Sequence, residues 1–136
     1  MSSDTLRDVL EAAANGLVYS SEVDRPFAFV RIAGANVPVA KLTADAVVAM
    51  TDSLGADVTE TSLEDLLARH IEQVDAHDRV SQGLIPRYQS LRDTLRRLLG
   101  DVRVFRLGQN EVRCVVLGND PDTGELVGLE TVSIES

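Results

Sequence analysis

Few residues of this 136-residue chain stand in patterns that perform chemistry. Two histidines, His70 and His77, carry no cysteine or carboxylate motif around them, so they do not make a zinc pattern. His70 is expected at a surface or boundary position of a helix. The lone cysteine, Cys114, falls inside an apolar strand, where a thiol behaves as a small hydrophobe. With one cysteine no intramolecular disulfide forms, which fits a reducing interior. Gly118-Asn119-Asp120-Pro121-Asp122-Thr123-Gly124 superficially suggests a calcium loop, but it lacks the acid that closes such a loop and reads as a hairpin connection. Nucleophile-elbow, P-loop, dinucleotide and EF-hand patterns are absent, and their absence argues against an enzyme. What remains is acidic. Glu22 and Asp24 sit in a polar loop between two apolar segments, and the last strand is expected to run almost to the chain end, which fixes a terminal carboxylate in space.

The elements that position these groups are legible from periodicity. Val102 to Gly108, Glu111 to Gly118 and the stretch from Glu125 to the end read as three strands in sequence, bounded by Gln109-Asn110 and by the loop from Asn119 to Gly124. Leu6, Val9, Leu10 and Ala13 recur at helical spacing, predicting a helix from about Asp4 to Asn15 that Gly16 ends. Leu17 to Tyr19 and Phe27 to Ala33 are β-prone, with Ser20 to Pro26 a loop between them. Val37 to Leu42 suits a short strand or a loop. Thr43 could cap a helix over Ala44 to Ser53, although Val47-Val48 also suits a strand. Thr61-Ser62-Leu63-Glu64 has the form of a capping box, opening a helix that buries Leu63, Leu66, Leu67 and Ile71. Asp75 to Gly83 reads as a loop. Leu84, Tyr88, Leu91, Leu95 and Leu98 form one stripe of a helix from about Ile85 to Leu99, with Pro86 near its start.

Composition bounds the class. At 44% hydrophobic and 26% charged residues, the chain is ordinary for one globular domain, residues 1–136, with no internal repeat or linker. No apolar run is long enough to span a membrane, and the first residues lack the form of a signal peptide, so a cytoplasmic protein is expected. The net charge of -9 is concentrated: residues 1–78 hold fourteen acids against five bases, while the remainder balances at eight of each. An acidic half repels nucleic acid and attracts a basic partner. Arg87, Arg92, Arg96 and Arg97 make one helix locally basic, without the interleaved aromatics of a nucleic-acid surface, and are expected to pair with Asp93, Asp101 or acidic neighbouring helices.

Two stretches carry a family resemblance. The first is Gly16-Leu17-Val18-Tyr19-Ser20-Ser21-Glu22-Val23-Asp24-Arg25-Pro26-Phe27. The second begins with Val104-Phe105-Arg106-Leu107-Gly108 and continues through Val116-Leu117-Gly118 and Gly124-Glu125-Leu126-Val127-Gly128 to a tail of Glu135-Ser136, with Tyr88, Gln89 and Leu91 in register ahead of it. Together they cover roughly half to two-thirds of the chain, and the sequence resembles the nuclease A inhibitor family: small acidic proteins that block a sugar-non-specific, metal-dependent nuclease. The resemblance implies an α/β (α+β) fold, a three-layer α-β-α sandwich with a largely antiparallel sheet similar to the pathogenesis-related-protein-1-like fold. It also implies a nuclease as protein partner, with no direct nucleic-acid binding and no cofactor or metal of the chain's own. In the family a loop glutamate meets an arginine of the nuclease and the C-terminal residue reaches its catalytic magnesium. Glu22 and Ser136 stand at these positions, with Asp24 and Glu135 adding to the acidic field. Ala76 and His77 stand where the family presents a tryptophan-tyrosine pair, and the chain contains no tryptophan. The alternative, from a different class, is an acidic adaptor or regulatory module of the same fold without nuclease inhibition.

Overall fold

β-Branched and aliphatic residues occupy both alternating sets of positions between Val112 and Leu117, which suits a strand covered on both faces. The computed structural model, which describes residues 3–19, 22–53, 55–71 and 79–135, places this run at the centre of a sheet. In chain order the elements are α1 (Ser3–Ala14), β1 (Val18–Tyr19), β2 (Arg25–Pro26), β3 (Ala28–Ile32), a 3-10 turn (Val39–Lys41), α2 (Ala44–Met50), β4 (Val58–Thr61), α3 (Leu63–Ile71), α4 (Arg79–Leu99), β5 (Arg103–Leu107), β6 (Glu111–Asn119) and β7 (Leu126–Ile134). Five strands form an antiparallel sheet in the order β3-β7-β6-β5-β4, and β1 pairs with β2 in a separate small ribbon. Among the described residues no helix is long and apolar enough to cross a membrane.

Alternation sends the two sides of β6 to different cores. Val112, Cys114 and Val116, with Val104, Val127 and Leu129, pack against Leu6 and Leu10 of α1, Leu66 and Leu67 of α3, and Leu91 and Leu95 of α4. Val115 and Leu117 join Phe105, Leu107 and Leu126 on the other face, under Val39, Leu42 and Val47. The expected meander of three strands, the first helix and the Leu/Tyr stripe of α4 all form, and Cys114 is fully buried. Arg92 meets Asp93 and Arg96 meets Glu64 of α3, so two of the helix arginines pair as their neighbours suggest.

Four local expectations need correction. The helix cap before α3 is Ser62, whose Oγ accepts from the Asp65 N–H at 3.0 Å. Thr61 belongs to β4, a strand whose polar, largely exposed residues carry no alternation to read; it pairs with β5 through Val58↔Leu107 to Thr61↔Val104. Helix α4 starts at Arg79, inside the expected loop, so Pro86 lies within the helix and withdraws one N–H from its ladder. Arg25-Pro26 is paired with Val18-Tyr19 instead of being open loop. Between Val37 and Leu42 the chain makes a 3-10 turn instead of a short strand. The expected cap of α2 does form, Thr43 accepting from the Ala46 N–H, with the helix ending at Met50.

The β6–β7 connection confirms its reading as a hairpin. Buried Asp120 receives the Arg31 Nη2 of β3 at 3.0 Å and the Asp122 N–H at 2.8 Å. Burial alone would raise the Asp120 pKa, but these donors hold it below the ordinary 3.8. A carboxyl depressed in the folded state contributes stability that is whole above its unfolded value and is lost as the pH falls through the folded one. Urea unfolding should therefore show stability falling below pH 3.8 in the native chain. Asp120→Asn is expected to start about 1–3 kcal/mol lower at neutral pH and to fall less on acidification. At Gly128 a Cβ would stand 1.7 Å from the Val116 carbonyl oxygen of the neighbouring strand. Gly128→Ala should cost about 3 kcal/mol, read as a lowered midpoint of thermal or urea unfolding.

Candidate partner-binding edge

The acidic loop is short and tied at three points. Tyr88, buried on α4, donates its hydroxyl to the Val18 carbonyl at 2.7 Å and accepts from the Val18 N–H at 3.2 Å, which fixes the strand entering the loop. The buried Thr131 hydroxyl of β7 donates to the Arg25 carbonyl at 3.3 Å, which fixes the strand leaving it. Between them the Glu22 N–H donates to the Ile134 carbonyl at 3.3 Å. Glu22, Val23 and Asp24 are exposed. Burial raises the Tyr88 pKa, the bond to Val18 opposes this, and the negative charge of Asp24 adds to the rise.

The chain end is held with equal care. Past β7, the Glu135 N–H donates to the Asn110 carbonyl in the β5–β6 turn at 2.7 Å. Its carboxylate accepts from the Ser133 hydroxyl at 2.7 Å and forms an ion pair with Arg106 of β5. Arg106 projects from the helix-side face of the sheet beside Cys114. Burial, the largest single effect, works against its charge, but the hydrogen bond it donates to the Glu135 carboxylate and the negative groups around it together raise the guanidinium pKa. Burial also pushes the Cys114 thiol up to about 11, so it stays protonated and is no nucleophile.

Two of the elements expected to carry function thus meet: the Glu22 loop is bonded to the last pair of residues before the chain terminus. Asp24 lies on the same loop. Glu135 points back to Arg106 and Ser133, where it anchors the end. Ala76, His77 and Ser136 lie outside the described residues. His70, a half-buried boundary residue, stacks on Tyr88 with ring centroids 4.4 Å apart and meets Tyr19 edge-on at 5.7 Å, beneath the same loop. No group of three His, Cys, Asp or Glu among the described residues is arranged to hold a metal ion. Sequence reasoning missed the anchors Arg106, Thr131, Ser133 and Asn110. The visible signal was Arg106 itself, a charge in an alternating apolar strand at a position due to face inward.

Because Tyr88 satisfies both backbone groups of Val18, Tyr88→Phe should remove about 1–2 kcal/mol of stability. Amide hydrogen exchange at Val18 and Glu22 should accelerate more than at Val115 in the core.

Comparison with known proteins bears on the whole chain. None of the curated proteins matches it. The family model described as nuclease A inhibitor-like protein matches residues 4–136, nearly the full length. A match of that extent carries the acidic loop, the sheet and the chain end together, and the chain belongs to the nuclease A inhibitor-like family.

Proposed function

We propose that this protein inhibits a magnesium-dependent, sugar-non-specific nuclease by presenting its acidic loop and its chain end to the active site as one unit. The observation that supports this most directly is the hydrogen bond from the Glu22 N–H to the Ile134 carbonyl, which joins the two elements. In this reading Glu22 meets an arginine of the nuclease. Ser136, one residue beyond the anchored Glu135, offers its terminal carboxylate and hydroxyl to the enzyme's magnesium, a hard cation that keeps exchangeable oxygen ligands. Asp24 and the acidic first half of the chain steer the inhibitor toward a surface built to attract nucleic acid. Ala76 and His77 belong to the same contact, without the aromatic anchors that stand there in the family. The chain supplies no catalytic group, binds no nucleic acid itself and works in the cytoplasm. Cover on both faces of the antiparallel sheet supports reading the fold as a three-layer α-β-α sandwich of the pathogenesis-related-protein-1-like kind.

A second reading is favoured by Ala76 and His77, which stand in place of a tryptophan-tyrosine pair, residue types that dominate binding hot spots. It makes the protein an acidic adaptor or regulatory module that kept the fold and not the inhibition.

Digestion of plasmid DNA with magnesium, titrated with this protein, separates the two. Stoichiometric inhibition by the native-ended protein is expected from the inhibitor reading. Glu22→Ala should weaken it by about thirtyfold, equivalent to a desolvated charge-assisted bond of about 2 kcal/mol. Deletion of Ser136, or a C-terminal extension, should weaken it at least as much while circular dichroism stays unchanged. Failure to inhibit any of several nucleases of this type would favour the adaptor.

A further inference from the structure

The second face of the sheet is not fully covered. Helix α2 has seven residues, and the chain after it bends at Gly55, where φ is +83°. It shields Phe105, Val115 and Leu117 but leaves the other end of β6 and β7 open. There a cavity of about 700 Å³ forms, within the range of small-ligand sites. Its floor is Leu107, Arg113, Glu130 and Val132; Ala56 lies on one side and Pro26 on the other.

The polar groups inside are not equivalent. Arg113 is occupied: its Nε and Nη2 donate to Glu130 Oε2, and its Nη1 donates to the Thr51 carbonyl at 2.8 Å. Glu130 is only half used, because no bond among the described residues reaches its Oε1. The Glu111 carboxylate, at the cavity edge, has no hydrogen-bond or ionic partner among the described residues. The cavity therefore offers open carboxylate oxygens beside apolar walls. That combination suits a side chain with a methylene stem and a positive head. The Arg25 guanidinium, also without a hydrogen-bond or ionic partner among the described residues, is the lining group that would favour an anion. It is exposed on β2, and the chain's net charge of -9 weighs toward a cation.

The cavity adjoins the candidate edge. Arg25-Pro26 leaves the loop that carries Glu22, and Glu111 follows Asn110, whose carbonyl holds the Glu135 N–H. The cavity thus shares Arg25-Pro26 and the β5–β6 turn with the elements proposed to meet the partner. We propose that this cavity is a second docking point for the nuclease partner and takes a lysine or arginine side chain from it. The choice of occupant rests on the inhibitor reading; the chemistry of the cavity does not.

Two measurements test this. In the first, isotope-labelled protein is titrated with Nα-acetyl-arginine amide and, separately, with Nα-acetyl-glutamate amide, up to about 50 mM because one side chain binds weakly. Saturable shifts at the Gly55, Ala56, Gly108 and Glu111 amides with the arginine probe alone are expected, with affinity lowered at least fivefold in Glu111→Gln. No response, or a stronger response to the glutamate probe, overturns the cation site. In the second, Glu111→Gln is compared with the native protein in nuclease inhibition, and about tenfold weaker inhibition is expected. Unchanged inhibition by a variant that has lost the arginine probe overturns the docking role. If no nuclease is inhibited by the native protein, both the inhibitor reading and the choice of occupant fail, and the probe titration still decides the cation site.

Discussion

Between Glu111↔Ile134 and Asn119↔Leu126, β6 and β7 are paired over nine consecutive positions, the longest ladder of the sheet. Everything placed at the candidate edge depends on it. Because β7 is buried over most of its length and locked to β6 on one side and β3 on the other, its carboxyl end leaves the sheet in a defined direction. The Glu135 amide then closes on Asn110, and the Glu135 carboxylate closes on Arg106. A chain terminus usually frays; here hydrogen bonds persist to the penultimate residue. The acidic loop takes its position from the same strand, through Thr131 and Ile134.

For the inhibition proposed above, this pre-ordering matters. Ordering a loop and a chain end at the moment of contact would cost several side chains' worth of conformational freedom. Here that cost is met during folding, by leucines and valines far from the contact. The charges divide into two roles. Arg106, Arg31 and Arg103 are bound to Glu135, Asp120 and Glu60 and serve the fold. Glu22 and Asp24 are exposed, and the Glu22 N–H is held by the Ile134 carbonyl.

How much of this was readable before the fold was known follows from the physics of each element. The meander, α1 and the stripe of α4 were legible because burial imposes a period of two or 3.6 on the residues that make them. β4 was not, since Val58 to Thr61 is a short edge strand held by pairing to β5, and its outward residues obey no pattern. The extra turns of α4 before Ile85 were hidden by Gly83 and Pro86, residues that locally argue for an end. At the candidate edge, the loop acids were visible from composition and from family likeness. Their anchors were not: a threonine, a serine and an asparagine carbonyl act through distances between strands far apart in sequence.

The sheet order has a consequence for how the molecule comes into being. β3, at residues 28–32, has β7 as its strand partner, and β7 is the last element of the chain. A chain present only as far as α4 holds β3 with no strand to pair with and the Glu22 loop without its bonds to Thr131 and Ile134. Folding of the whole sheet waits on the final residues, and contacts that span most of the chain close slowly. The edge is consequently assembled only once β7 has docked, so a copy lacking β7 displays neither the loop in its tied form nor the anchored Glu135.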